Sequence, residues 1–229
     1  VGVRTGGDFC RGDGDMITGG GFDNNLLGIG KKQSIAVGDS YQKTLAGMQR
    51  QGAVLLNAQQ LEAIKKEVFD YKNGVGCGTP VLNRKWVGAN PDALAKIAGL
   101  NLDSSVEMLI AETDANDPFV QEEQMMPLLP IVHANDFAAG LRIAKQSEHG
   151  DKHSAMIHTM NVARMTEMGQ AMDTTIFVKN GPCVAGLGMG GEGFISFSIA
   201  TTTGEGITTP RTFTRYRRCT LVNNLNIVT

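Results

Sequence analysis

The 229-residue sequence lacks the marks of several large classes of protein. Its net charge is only −2 at pH 7, so nothing in its charge favours nucleic acid or an anionic membrane as a partner. No apolar run approaches the roughly 18 residues of a membrane-spanning helix. The first residues also lack the apolar stretch of a secretory signal peptide. We therefore expect a cytoplasmic protein without nucleic-acid or membrane partners.

Signals for a metal site or a disulfide framework are missing too. The four cysteines lie far apart and form no Cys-x-x-Cys pair: Cys10, Cys77, Cys183 and Cys219. This spacing suits a reducing compartment. His149, His153 and His158 are close in sequence, but Gly150 interrupts any helix there. A spacing of five places His153 and His158 on opposite faces of a strand, so we expect no bound metal.

The usual nucleotide motifs are absent as well. No GxGxxG follows an N-terminal strand and no P-loop is present, so nucleotide phosphates have no evident cradle in this chain. The sequence does not begin with methionine, and we expect it to begin inside a longer polypeptide.

What the sequence does contain is an alternation of strand and helix patterns, which predicts an α/β fold with a largely parallel sheet flanked by helices. The predicted strands are 34–37, 80–82, 107–111, 128–133 (interrupted by Pro130), 154–158, 174–178, 219–222 and 225–228. The predicted helices are 40–52, 58–71, 93–98, 136–146 and 161–171, and 118–123 is predicted as a polar loop.

Glycine is concentrated in two segments. Residues 1–21 contain eight glycines, each of which costs a helix about 1 kcal/mol relative to alanine, so composition alone predicts a loop. Phe9, Met16 and Ile17 nevertheless fit one apolar helical stripe. The second segment, residues 179–218, places glycines on both sides of an apolar run at 194–200. Glycine content alone fits a bulged hairpin as well as a backbone that approaches a ligand closely.

The order of elements in 179–218 resembles the C-terminal signature of the CoA-acylating aldehyde dehydrogenases, above all the propionaldehyde and acetaldehyde enzymes of bacterial microcompartments. The resemblance extends over nearly the whole chain. It implies a catalytic domain at 1–213, an oligomerisation strand at 214–229 and the absence of the N-terminal NAD-binding half. It also implies a helix in residues 1–21, where several glycines would stand in place of alanine or serine.

The family's catalytic cysteine lies in a segment resembling FDNNLLCIGEK, whereas this chain has FDNNLLGIGKK. Gly28 therefore occupies the cysteine position, and Lys31 replaces a glutamate. The chemistry requires a thiolate that attacks the aldehyde carbonyl and carries the acyl group to CoA, and glycine has no side chain to do this. The backbone N–H of Gly28 remains a candidate oxyanion donor. Without the resemblance, the segment predicts only a helix end that turns into a strand.

The family also has a Glu-Glu segment that resembles Glu122–Pro127. The resemblance implies that Glu123 hydrogen-bonds the nicotinamide ribose and that Met125 packs near the nicotinamide. From the residues alone, this is a solvated glutamate pair in a loop. His153 is expected near the active site, as a proton shuttle or CoA contact. Cys183 is a second candidate nucleophile, although a free cysteine is more often a small buried hydrophobe.

The resemblance implies NAD-dependent, CoA-acylating oxidation of propionaldehyde or acetaldehyde, with NAD and coenzyme A as cofactors. The implied partners are the small aldehyde, further copies of the chain in a dimer or tetramer, and a microcompartment shell. Two alternatives remain open. Gly28 favours a catalytically inactive or truncated structural subunit, and Cys183 would serve a different thioester or acyl-binding enzyme.

Overall fold

The computed structural model describes residues 1–6, 9–30, 32–71, 79–191, 195–199, 207–220 and 222, with the backbone alone at 9–11. The strands are β1 (Gly2–Arg4), β2 (Ser34–Val37), β3 (Val54–Leu56), β4 (Phe69–Tyr71), β5 (Pro80–Leu82), β6 (Leu109–Thr113), β7 (Leu128–Ala134), β8 (Ser154–His158) and β9 (Ile176–Lys179). The helices are α1 (Phe9–Gly21), α2 (Ser40–Arg50), α3 (Ala58–Val68), α4 (Pro91–Ile97), α5 (Pro118–Gln121), α6 (Phe137–Ser147) and α7 (Val162–Met172).

Seven strands form one sheet in the order β3-β6-β7-β2-β1-β8-β9, and β4 pairs with β5 in a separate antiparallel ribbon. Every neighbouring pair in the large sheet is parallel. The predicted α/β class with a parallel sheet is therefore confirmed. Parallel neighbours require crossover connections, and the helices supply them and cover both faces of the sheet.

Helix starts follow side chains that can accept backbone N–H groups. Asn57 caps α3, and its capping box is completed by Gln60. Asp136 accepts the amide of Ala139 at the start of α6, and Asn161 does the same for α7. These oxygens satisfy donors that a helix leaves unpaired in its first turn, which is why the three helices begin where the sequence predicts.

Alternation along the strands divides the core between the two faces of the sheet. On β2, Ile35 packs with residues of α6 and α7, whereas Ala36 packs with Met16 of α1 and Met48 of α2. The helix predicted in residues 1–21 is thus formed, and Met16 and Ile17 bury its apolar stripe. A further cluster joins α3 and α4 to β6 and β7.

Several predicted elements are wrong in detail. The helix predicted to Tyr71 stops at Val68, because Phe69–Tyr71 pairs with Pro80–Leu82 as β4. The polar loop predicted at 118–123 contains the short helix α5, whose Phe119 and Val120 are buried in the core. Pro130 does not interrupt β7: pairing with β2 begins only at Ile131, so the missing N–H of proline faces no neighbour on that side.

The C-terminal segment also differs from the prediction. Cys219 and Thr220, from the strand predicted at 219–222, are exposed and do not belong to any strand formed by the described residues. Residues 221 and 223–229, which include the second predicted strand at 225–228, lie outside the described residues. β1 was not predicted, since three residues are too few to show a period.

Candidate active site

The segment between α1 and β2 has an unusual backbone. Three successive residues, Asp23, Asn24 and Asn25, have φ values of 48°, 51° and 64°. Left-handed φ costs most residues about 1–2 kcal/mol, and aspartate and asparagine tolerate it best among residues other than glycine. The Asp-Asn-Asn sequence is therefore suited to a turn that few other residues would adopt.

Hydrogen bonds hold this turn in place. Asn24 donates from Nδ2 to the carbonyl of Gly88 at 3.0 Å and to Oδ1 of Asn90 at 2.7 Å. The buried Asn25 donates from Nδ2 to the carbonyl of Met126 at 3.4 Å. The turn is thus tied to two distant segments of chain, which offsets the strain of its backbone and fixes where the following residues lie.

Gly28 follows this turn with φ +64°. A Cβ built on Gly28 would approach no atom more closely than 3.9 Å, and the atom at that distance is Oε1 of Glu123. The position therefore has room for a side chain, which would point towards the Glu123 carboxylate. Two of the residues predicted to form the site are brought together here, although they are far apart in sequence.

Both residues line an open cleft of about 460 Å³. The cleft lies at the amino ends of the parallel strands, because its walls come from the residues that precede or begin β1, β2, β7 and β8. The lining residues are Val1, Gly28, Gly30, Lys32, Glu123, Ser147, Glu148, Asp151, His153 and Ser154. The volume is in the range of small-molecule sites, and seven of the ten lining residues have polar side chains.

Lys32 is the one lysine or arginine among the described residues that line this cleft. Its amine donates to the carbonyl of Gln121 at 2.9 Å and to the carbonyl of Ser147 at 2.6 Å. Burial lowers the pKa of Lys32 from its usual value, and nearby carboxylates oppose that change: Glu122, Asp151, Glu123 and Glu148. Burial outweighs these carboxylates, three of which line the cleft: Glu123, Glu148 and Asp151.

Of the other two residues predicted near the active site, His153 lines the cleft and Met125 does not. Nδ1 of His153 lies 3.2 Å from Oγ of Ser154. Met125 is half-buried with φ +47°, and its carbonyl accepts the N–H of Gly88 at 2.9 Å. Four further residues that line the cleft were not predicted from the sequence: Lys32, Ser147, Glu148 and Asp151. They belong to no recognisable motif, and only the fold brings them to the cleft.

Cys183 lies elsewhere. Its side chain is 1% exposed, and its Sγ donates to the carbonyl of Gly19 at 2.9 Å, where the 3-10 turn Cys183–Leu187 packs on α1. A thiol enclosed in this way cannot meet a substrate, so the interpretation of Cys183 as a nucleophile loses its support. The side chains of Cys10 and Cys77 lie outside the described residues.

The three clustered histidines are separated in space. His149 is exposed with its Nε2 3.0 Å from the carbonyl oxygen of Gln121, whereas His158 is buried at the end of β8. Within the described parts of the chain, no group of three or more histidine, cysteine, aspartate or glutamate side chains could hold a metal ion. None of the helices described is both long and apolar enough to cross a membrane.

Comparison with known proteins places the chain in a family. No protein-family model matches the chain. Over 221 residues, 96% of the chain, it is 41% identical to the acetaldehyde dehydrogenase (acetylating) of Salmonella typhimurium and 40% identical to the propanal dehydrogenase (CoA-propanoylating) of the same organism. The chain belongs to the CoA-acylating aldehyde dehydrogenases. It spans about half the length of these relatives, 47% and 46% respectively.

Solved structures of this family share the fold. A propionaldehyde dehydrogenase of Rhodopseudomonas palustris, with bound CoA and an acylated cysteine, has a TM-score of 0.88 and 34% identity over 96% of this chain and 49% of that protein. A propionaldehyde dehydrogenase from a Clostridium phytofermentans fucose-utilisation microcompartment has a TM-score of 0.87 and 37% identity over 98% of this chain and 50% of that one. The predicted family is confirmed at the level of both sequence and fold.

Proposed function

We propose that this chain is the catalytic-domain half, at residues 1–213, of a CoA-acylating aldehyde dehydrogenase acting on propionaldehyde or acetaldehyde with NAD and CoA. Gly28 occupies the position of its nucleophile. The observation that carries the proposal is the space at Gly28, where an added Cβ would face Oε1 of Glu123 across the cleft at 3.9 Å. The relatives named for these aldehydes support the choice of substrate.

Glu123 suits the ribose role that we assign to it. Its side chain is exposed at the cleft and makes no hydrogen bond or ion pair within the part of the chain that the structure describes. A carboxylate in this state can accept hydrogen bonds from two vicinal hydroxyl groups. NAD, when bound, supplies the hydride acceptor. Met125 has a smaller part in the proposal, since its side chain would have to reach the nicotinamide from beside the cleft.

A cysteine thiolate at residue 28 would add to the aldehyde carbonyl and form a thiohemiacetal. Loss of hydride from the thiohemiacetal carbon, with NAD as the acceptor when bound, would leave a thioester on the cysteine, and attack by the CoA thiol would take the acyl group and release the cysteine thiolate. We assign to the backbone N–H of Gly28 the stabilisation of the oxyanion formed in the first step. His153, which also lines the cleft, is the group we assign to proton transfer or CoA contact. With glycine at residue 28, the covalent steps have no thiolate at this position.

The test is a gain of activity. In the full-length protein, Gly28→Cys should raise NADH formation from propionaldehyde, CoA and NAD at least about a thousandfold, because a covalent nucleophile commonly contributes several orders of magnitude. The matched control is Gly99→Cys, since Gly99 also has positive φ (+73°) and nothing within 4 Å of its added Cβ. Assays with NADP in place of NAD decide the cofactor, as an engineered glycolyl-CoA reductase of similar fold binds NADP⁺.

Activity of the unmodified protein above background would contradict the proposed inactivity. Equal rates for Gly28→Cys and Gly99→Cys would contradict the nucleophile position. The intact mass of the natural protein, with peptide coverage of Phe22–Lys32, determines independently whether glycine is the residue that the cell makes.

A second candidate function is a structural subunit that assembles with active copies, and Gly28 is the observation that favours it. We assign residues 214–229 to assembly because the exposed apolar side chains gather near the C-terminus: Phe213, Tyr216 and Val222 are 75%, 85% and 73% exposed. Pairing with another copy would cover them. A microcompartment shell is a further proposed partner, supported by the Clostridium phytofermentans relative.

Removal of residues 219–229 should convert a dimer or tetramer into monomers or insoluble protein, as measured by sedimentation velocity. An unchanged sedimentation profile would contradict the assembly role. Mixing with an active family member, followed by co-purification, distinguishes a structural subunit from an isolated inactive protein.

A further inference from the structure

Three separate segments of chain build the candidate cleft, and one side chain joins them. The first segment is Gly28–Gln33, the second follows α5 at Glu122–Gln124, and the third follows α6 at Glu148–Ser154. The amine of Lys32 lies where these segments meet, because its two acceptors, Gln121 and Ser147, are the last residues of α5 and α6.

The carbonyl groups at the end of a helix lack partners within the helix and carry partial negative charge. An ammonium group is therefore well suited to bind them. At 2.6 and 2.9 Å these are charge-assisted hydrogen bonds, which are stronger than neutral ones. Glu123 lies two residues beyond one acceptor, and the segment that carries His153 begins one residue beyond the other.

Neighbouring bonds support the same junction. Gln124 donates from Nε2 to the carbonyl of Lys32 at 3.0 Å and to the carbonyl of Phe119 at 2.8 Å. Gln33 donates from Nε2 to Oγ of Ser147. The carboxylate of Glu148 accepts the N–H groups of Gly150 and His153, at 3.0 and 3.2 Å, which orders the third segment within itself. Two further contacts link this ordered segment to the other two, since Gln33 bonds Ser147 and the Nε2 of His149 lies 3.0 Å from the Gln121 carbonyl. Lys32 differs from both because its single amine bonds the ends of α5 and α6 together.

We propose that Lys32 is a positioning residue that holds the Glu123 and His153 segments against the Gly28 turn, and so sets where cofactor and acyl acceptor meet residue 28. The role of the three sites in catalysis rests on the proposed function, whereas the junction itself does not. The lowered pKa of the buried lysine is consistent with an amine that is enclosed by this junction.

The first experiment measures the junction without catalysis. Hydrogen exchange followed by mass spectrometry compares Lys32→Met, which keeps length and removes all donors, with Lys145→Met, an exposed lysine of α6. In Lys32→Met, amides of 122–124 and 148–154 should exchange about tenfold to a hundredfold faster, while β2 and β7 stay protected. Lys32→Arg should restore part of the protection, because its guanidinium also donates to carbonyls.

Unchanged exchange in these two segments, or an equal increase throughout the chain, would overturn the inference. The second outcome would mean that Lys32 contributes general stability and no local positioning. This experiment decides the role of Lys32 even if the Gly28→Cys protein has no activity, which would instead contradict the proposed function.

The second experiment uses kinetics in the full-length Gly28→Cys protein. Lys32→Met should raise the KM for NAD and lower the single-turnover rate by about tenfold or more, with little change in the KM for aldehyde. Lys32→Arg should recover part of the rate, and Lys145→Met should match the parent. Equal kinetics of Lys32→Met and the parent would show that the junction does not position the cofactor side of the site.

Discussion

The two edges of the parallel sheet differ in how their polar groups are used. At the carboxyl edge, Arg4 at the end of β1 pairs with Asp13 at 2.6 Å, and both side chains are at most 1% exposed. Nearby, Tyr41 donates to Glu112 at 2.8 Å and packs on His133. At the amino edge, by contrast, Glu123 is exposed without a hydrogen-bond partner among the described residues, and Gly28 faces empty space.

Ligands of open α/β sheets usually bind outside the carboxyl ends of the strands. Here that edge is where polar side chains satisfy each other, and the cleft with available groups lies at the opposite edge. The fold class alone would therefore direct attention to the carboxyl edge, whereas the site that we propose lies at the amino edge. The residues that make the cleft come from segments before the strands, and asparagine side chains hold the one that contains Gly28.

We expect the largest loss of stability from a substitution at the carboxyl edge, where the polar groups are buried. Arg4→Met leaves the Asp13 carboxylate buried without its cation, and removing one partner of a buried ion pair typically costs about 3–5 kcal/mol of unfolding free energy. Chemical denaturation monitored by circular dichroism measures this. A loss below about 1 kcal/mol would contradict the view that this edge is structural.

Arg4→Met should leave the Gly28 turn intact wherever the protein still folds. Chemical modification rates of a Gly28→Cys thiol, compared with and without Arg4→Met under folding conditions, provide that control. A large change in thiol reactivity would mean that the two edges are coupled, and the comparison would fail.

The next largest effect that we expect is on the rate of hydride transfer, from a substitution at the amino edge. In full-length Gly28→Cys protein, Glu123→Gln should slow hydride transfer roughly tenfold to a hundredfold, because charge-assisted hydrogen bonds to the ribose contribute about 1.5–3 kcal/mol. Single-turnover NADH formation measures the rate, and denaturation should show unfolding free energy within about 0.5 kcal/mol of the parent. Glu122→Gln is the neighbouring control, since Glu122 does not line the cleft.

Equal single-turnover rates for Glu123→Gln and its parent would remove the ribose assignment. A large loss of stability in Glu123→Gln would be equally damaging, since it would show that the exposed carboxylate has structural partners. The polar groups of both edges would then contribute to stability, and the contrast between a structural edge and a binding edge would be lost.

Features that depend on neighbouring residues could be predicted from the sequence, whereas contacts between distant segments mostly could not. Helices with side-chain caps and strands with apolar runs were predicted closely, as at Asp136 and Ser34–Val37. The nearness of Gly28 and Glu123 followed from family resemblance alone. Lys32 was not predicted, because its partners are backbone carbonyls that no residue type reveals.

The missed elements have equally physical causes. Phe69–Tyr71 continues the helical pattern of α3 and becomes a strand only because Pro80–Leu82 is available to pair with it. Phe119 and Val120 lie among polar residues, yet tertiary packing buries them and closes a short helix. The secondary structure of these segments depends on residues that are distant in sequence, and the local hydrophobic pattern contains no information about them.

The smallest expected effect concerns α1, which leads from the carboxyl edge back to the amino edge. Gly14 has nothing within 4 Å of an added Cβ, so Gly14→Ala should raise the unfolding free energy by about 0.5–1 kcal/mol through helix propensity. Gly19 is the matched control, because an added Cβ there would lie 2.7 Å from Sγ and 3.0 Å from the backbone nitrogen of Cys183. Gly19→Ala should therefore destabilise by about 1–3 kcal/mol. If both substitutions moved the denaturation midpoint in the same direction, α1 would not pack against the Cys183 turn as described. The position of α1 between the carboxyl end of β1 and the amino end of β2 would then need revision.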